Sequence, residues 1–240
     1  MTRLYFPDEV PVHGELTAPA AAAHHLVNVL RARAGEDLVL FDGRGHEYDA
    51  VIERIDKTGV VLRVGDARAV DRESPLAVTL AQGISSGERM DYTVQKAVEL
   101  GIAAIQPLAT ERSVVRLDSA RAAKRVAHWQ AIVIAACEQC GRNQVPRVAP
   151  VMSLGAWLGR SEAAVKLTLD PRAPTALRAL ARPEGRVSLL VGPEGGLSER
   201  ERSDAGHAGF VPVRIGPRVL RTETAALATL AAMQTLWGDF

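Results

Sequence analysis

The chain has 240 residues, enough for one large domain or two small ones, and 47% hydrophobic content supports a full core and argues against wholesale disorder. A formal net charge of +1 neither requires nor excludes a nucleic-acid partner, so the placement of charge has to decide. No charged leader precedes an apolar run, and no apolar stretch is long enough to span a bilayer, so a soluble cytoplasmic protein is expected.

Residues 1–72 read as β-rich. Apolar runs at Leu38–Phe41, Tyr48–Ile55 and Val60–Val64 are punctuated by Gly43, Gly45 and Gly59, and one helix is expected from Ala20 to Arg33, ending at Gly35. Short strands separated by turn signals suit a small barrel. The polar run Asp71-Arg72-Glu73-Ser74-Pro75 then reads as a linker. His24 and His25 stand at the head of a run that also carries Arg31 and Arg33; by itself such a pair is a surface or capping feature.

From Leu76 the pattern alternates. Strands are expected at Leu76–Gln82, Ala104–Pro107, Val165–Leu169, Val187–Val191 and Val213–Ile215, with helices at Arg89–Leu100 and Ala120–Cys137. Such alternation indicates a parallel sheet carrying helices, an α/β domain over 76–240. Arg112 and Ser113 follow the second of these strands at its carboxyl end, beside Glu111, with which a surface ion pair is the plain reading. Lys96 and Glu99, three apart on a helix, are expected to pair. Cys137 and Cys140 form a lone C-x-x-C; structural zinc needs four ligands, so no metal is expected there.

The last quarter is the most informative. Val187–Val191 leads into Gly192-Pro193-Glu194-Gly195-Gly196-Leu197-Ser198, and Arg214-Ile215 into Gly216-Pro217-Arg218-Val219-Leu220-Arg221-Thr222-Glu223-Thr224-Ala225. Each reads as a strand, a glycine turn and a helix, which exposes backbone at the carboxyl end of a strand, where open α/β sheets bind ligands. Neither loop carries the phosphate-loop or dinucleotide spacing, and Glu194 would repel an anion. A ligand compatible with the loop is neutral or cationic; a tight turn at a strand–helix junction is the alternative. Ser198 and Glu201 form an S-x-x-E capping box. Thr222 is expected to cap a helix running to about Trp237, with Leu227, Leu230, Met233 and Trp237 on one face and alanines elsewhere.

These two motifs, "LLVGPEGGLSERE" and "IGPRVLRTETAA", resemble the RsmE family of ribosomal RNA uridine-N3 methyltransferases, of the knotted SPOUT class. The likeness extends to "HHLVNVLRARAGEDLVLFDGRG", "KAVELGIAAIQPLATERSV" and "ACEQCGRNQVP", which together cover most of the chain. It implies a PUA-like RNA-binding β-barrel over 1–72 and a methyltransferase domain over 76–240, with a trefoil knot whose loops hold S-adenosylmethionine. Contacts to that cofactor are implied at Leu169, Leu190, Gly192, Pro193, Glu194, Gly195, Gly196, Ile215, Gly216, Leu220, Arg221, Thr222, Thr224 and Ala225. RNA contacts are implied at His24, His25, Arg31, Arg33, Arg112 and Arg142, the last within a segment expected to turn toward substrate. A homodimer across the C-terminal helix and 16S ribosomal RNA of the small subunit complete the partners.

Uridine N3 carries a proton between two carbonyls, so its methylation needs that proton to leave. Arg221 and Glu223 are the catalytic candidates: Arg221 to stabilise charge on a uracil carbonyl, Glu223 to take the proton or to orient Arg221. Two other functions fit less of the sequence: a related methyltransferase acting on a ribose hydroxyl or on guanine of transfer RNA, and a non-catalytic RNA-binding assembly protein.

Overall fold

The structure is a computed structural model and describes residues 2–57, 59–113 and 119–240. It divides into two compact units, 1–73 together with 137–145, and 74–136 together with 146–240.

The first unit is built on a five-stranded sheet in the order β1-β3-β4-β5-β2. β1 is Thr2–Tyr5, β2 Glu15–Thr17, β3 Asp37–Phe41, β4 His46–Asp56 and β5 Gly59–Ala69. β1 runs parallel to β3 and the remaining pairs are antiparallel. Alternation puts Ala50 and Ile52 of β4, Leu38 and Leu40 of β3, and Leu62 and Val64 of β5 into one core with Leu4, Phe6 and Leu26. Register shifts at Tyr48/Ala50 and Ile52/Arg54 interrupt the long β4–β5 ladder, and such irregularities increase strand bending. The short β1 and β2 escape the sequence reading, since three or four residues give too little periodicity.

The expected helix over Ala20–Arg33 is shorter. α1 (Ala20–His24) widens into a π-helical turn, His25–Val29, closed by Leu30 N–H donating to His25 O at 3.0 Å. Arg31 takes φ +55, which ends the winding before Gly35 is reached.

Residues 137–145 lie in the part of the sequence read as methyltransferase domain but pack into the first unit. Tyr5 N–H donates to Glu138 Oε1 at 3.0 Å, and Asn143 Nδ2 donates to Val70 O at 2.6 Å. Arg142 is the clearest departure from its expected role. It is 5% exposed, and its guanidinium is engaged by the Glu73 carboxylate, with Nε at 3.1 Å from Oε1. The reason is local: a buried guanidinium needs a partner, and Glu73 of the supposed linker supplies it.

The second unit holds a seven-stranded, all-parallel sheet in the order β12-β10-β11-β6-β7-β8, with β9 also pairing β7. The strands are β6 Val78–Gly83, β7 Ala104–Ala109, β8 Arg147–Val148, β9 Met152–Ser153, β10 Val165–Leu169, β11 Val187–Val191 and β12 Val211–Val213. Helices are α2 (Gly87–Glu99), α3 (Ser119–Cys140, of which 119–136 belong to this unit), α4 (Leu154–Leu158), α5 (Glu199–His207) and α6 (Thr222–Trp237). β11 is buried along its whole length, as a central parallel strand should be. The strand expected at Val213–Ile215 is displaced to Val211–Val213 and contains Pro212; β12 pairs only with β10, and an edge position tolerates the missing N–H. α6 packs on α2 and buries Ala226, Leu230, Met233 and Trp237.

Candidate active site

Loops from the carboxyl ends of β10, β11 and β12 enclose a cavity of about 580 Å³. Its walls are Leu169–Arg172 after β10, Val191–Leu197 after β11 and Val213, Ile215, Gly216 and 218–223 after β12, with Arg89 of α2 and Arg112 beyond β7 at the sides. This is where an open parallel sheet exposes backbone groups to a ligand.

The loop after β11 is folded tightly on itself. A Cβ added to Gly192 would lie 2.9 Å from Leu197 N and 3.0 Å from the Gly196 carbonyl carbon, and one on Gly83 would lie 2.6 Å from the Pro193 ring. Gly196 takes φ +66 and faces open space. These glycines are therefore required by close backbone approach and by the left-handed conformation. The exit is the expected capping box: Ser198 Oγ accepts from Glu201 N, and Glu201 Oε2 accepts from Ser198 N.

Glu194 is turned onto α2. Its Oε1 accepts from Ser86 N at 2.9 Å, Ser86 Oγ at 2.8 Å and Arg89 Nη1 at 3.1 Å. Burial pushes its carboxyl up, but these hydrogen bonds to Ser86 and Arg89 outweigh burial and hold it below the usual carboxylate range. Arg89 Nε also stands 4.0 Å from Glu223 Oε1. One guanidinium thus bridges the carboxylates of both glycine motifs, while Oε2 of Glu194 and Oε2 of Glu223 are buried with no hydrogen-bond partner among the described residues.

The two motifs are also joined directly. Thr222 Oγ1 donates to Gly192 O at 2.6 Å and accepts from Gln82 Nε2 at 3.0 Å. Thr222 is therefore not the helix cap; Arg221 occupies that position, and the Thr222 hydroxyl is spent on fastening α6 to the first loop. Arg221 is exposed on the wall, and its side chain, like that of Arg218, has no hydrogen-bond or ion-pair partner among the described residues.

The family described as an RNA methyltransferase domain matches residues 72–234, and the RNA methyltransferase PUA domain matches residues 19–65. Ribosomal RNA small subunit methyltransferase E of Bacillus subtilis is 35% identical over 88% of this chain and 86% of its own length. The chain belongs to the RsmE family. Among solved RsmE-like structures, the Neisseria gonorrhoeae ribosomal RNA small subunit methyltransferase E bound to S-adenosyl methionine is 46% identical, with TM-score 0.93 over 100% of this chain and 99% of that one. A putative methyltransferase from Legionella pneumophila, solved with bound SAM, is 42% identical with TM-score 0.96, again over 100% of this chain and 99% of that one. This RsmE-family chain is thus a parallel-sheet α/β RNA methyltransferase with a PUA-like domain.

In this RsmE-family fold most of the residues singled out for the cofactor come together on the cavity wall: Leu169, Gly192, Pro193, Glu194, Gly195, Gly196, Ile215, Gly216, Leu220, Arg221, Thr222 and Ala225. Leu190 does not; it is fully buried in the core of β11. Thr224 points outward from α6 and does not line the cavity. Arg112 belongs to the cavity and not to a separate surface, since its Nη1 donates to Gly195 O at 3.1 Å; Glu111 instead donates its backbone N–H to Glu201. His24, His25, Arg31 and Arg33 are exposed in the first unit. Arg89 and Gln82 are the residues the sequence reading missed. Arg89 sits one turn into a helix after a strand, a position that could have marked it, whereas Gln82 inside an apolar strand was visible as a buried polar group in need of partners. The Cys137 thiol is buried and pushed up to about 12 chiefly by desolvation, so it stays protonated.

Proposed function

We propose that the cavity holds S-adenosylmethionine and that the chain methylates N3 of a uridine in 16S ribosomal RNA. The observation that carries this reading is the joining of two glycine motifs into one cavity whose wall combines backbone, apolar side chains and the acidic residues Glu194 and Glu223. Such a wall suits a ligand with hydroxyl and amino groups and a cationic centre better than a phosphate. When bound, the cofactor supplies an electrophilic methyl group on its sulfonium.

The chain's own residues divide the remaining work. Gly192, Gly195 and Gly196 let backbone approach the ligand, and Leu169, Ile215 and Leu220 exclude water from it. Arg221, exposed at the cavity, stabilises negative charge on a uracil carbonyl as the N3 proton leaves. Glu223, which lines the cavity, is the acceptor for that proton, and its orienting partner is Arg89 rather than Arg221. His24, His25, Arg31 and Arg33 of the PUA-like unit contact RNA backbone. The loop ending in Arg221 passes beside the loop starting at Gly192, in keeping with a trefoil knot. Exposed Val219, Leu236 and Phe240 give the C-terminal region an apolar face for a second copy, in the cytoplasm where the ribosomal substrate is assembled.

The test is calorimetric titration of S-adenosylmethionine, followed by labelled transfer to 16S ribosomal RNA and mass analysis of the nucleosides. The expected product is N3-methyluridine. Methyl on ribose or guanine points to the related methyltransferases, and RNA binding without cofactor binding points to an assembly protein. Arg221→Ala is expected to lower turnover by at least about 100-fold with cofactor affinity kept within about threefold. Light scattering at micromolar concentration is expected to give a dimer's mass.

A further inference from the structure

α3 carries Arg121, Lys124, Arg125 and His128 at the i, i+3, i+4, i+7 spacing that brings side chains to one helix face. Trp129, Val133 and Ala136 mark the different face that is buried. No Asp or Glu occurs between Ser119 and Cys137. An ordinary solvated helix mixes both signs, as Glu199, Arg200, Glu201, Arg202 and Asp204 of α5 do. α3 also opens without an acid in its first turn and with Arg121 there, against the preference set by the helix dipole. A charge arrangement that opposes local stability points to a use elsewhere.

One end of the stripe is held by α2: His128 Nε2 lies 2.9 Å from Asp91 Oδ2. Asp91 is the carboxylate that faces this end of the stripe, and it also accepts from Trp129 Nε1 at 3.1 Å.

We propose that this face of α3 is a docking surface for the sugar-phosphate backbone of the substrate RNA, about 10 Å of cationic track. The inference rests on the RNA-methylation reading. Its test uses two double variants, Lys124→Ala/Arg125→Ala and Lys124→Glu/Arg125→Glu, with 16S ribosomal RNA transcribed in vitro as the probe. Affinity should fall about 10-fold or more for the glutamate pair, and the slope of log affinity against log salt should become shallower by about 1.5 for the alanine pair. Cofactor affinity should stay within about twofold, and the thermal midpoint should not drop, because alanine favours helix and acids favour this end of it. Wild-type protein that binds and methylates the RNA, with both variants matching its affinity and salt slope, overturns the docking surface alone. Wild-type protein that transfers no methyl and binds no RNA overturns the function and the surface together.

Discussion

Two of the loops that wall the cavity reach a Gly-Pro step just after a parallel strand, yet they are held in opposite ways. The first, 192–197, is fastened from every side: Gly192 O accepts from Thr222 and Gln82, Gly195 O from Arg112, Pro193 O from Gly196 N–H, and Glu194 is clamped by Ser86 and Arg89. The second, 215–220, makes no hydrogen bond among the described residues, and Val219 is 81% exposed. One wall is thus pre-organised, and the other leaves its donors and acceptors for a ligand or a second chain. Binding to such a site draws rigidity from the first loop and gains order in the second.

The sharpest way to break this contrast is a methyl group in each loop. In Gly192→Ala the new Cβ meets backbone of Gly196 and Leu197 at 2.9–3.1 Å, so the loop must move; cofactor affinity should fall by about 100-fold or more, and stability by about 1–3 kcal/mol. In Gly216→Ala the Cβ meets nothing within 4 Å, and the thermal midpoint should be nearly unchanged. Equal losses of stability in the two variants, measured by thermal unfolding, would remove the distinction.

A smaller effect is expected from the arginine that ties the motifs together. Arg89→Ala leaves two partly buried carboxylates facing each other across the site, with side chains 20% and 14% exposed for Glu194 and Glu223. Cofactor affinity should fall about 10-fold, and Arg89→Lys should recover only part of it, since one ammonium cannot reproduce the two-sided fork. Calorimetric titration reads both. An unchanged affinity in Arg89→Ala would leave Ser86 as the sole anchor of Glu194.

How much of this was legible beforehand follows the range of the interactions. Strand β11 and the Ser198–Glu201 box are local patterns, and the structure has both where the sequence puts them. So is the Lys96–Glu99 pair, at 2.7 Å. Arg142 is placed toward substrate by the family resemblance of its segment, but its partner Glu73 is 69 positions away. Thr222 looked like a cap because a threonine before an apolar helix usually is one; its hydroxyl is instead taken by Gly192, 30 positions earlier. Arg89 acquires meaning only when α2 is placed beside Glu194 and Glu223, 105 positions away in the first case. Residue type and spacing report the loop chemistry, while pairing across the sheet decides which polar groups are free to act.

The mildest test of the clamped loop is pH. The folded Glu194 carboxyl is held below its ordinary 4.5, so its contribution to stability is complete above that value and fades as pH falls through the lower, folded one. Glu194→Gln keeps the shape but removes the charge that Ser86 and Arg89 address. The difference in thermal midpoint between wild type and Glu194→Gln should therefore stay constant from about pH 7 to about pH 5 and shrink below 4.5. Asp42 and Glu47, also held low by hydrogen bonds that outweigh burial, titrate alike in both proteins and cancel from the difference. A difference that grows on acidification would mean that Glu194 is destabilised as a carboxylate, and that the first loop, like the second, is left for its ligand to order.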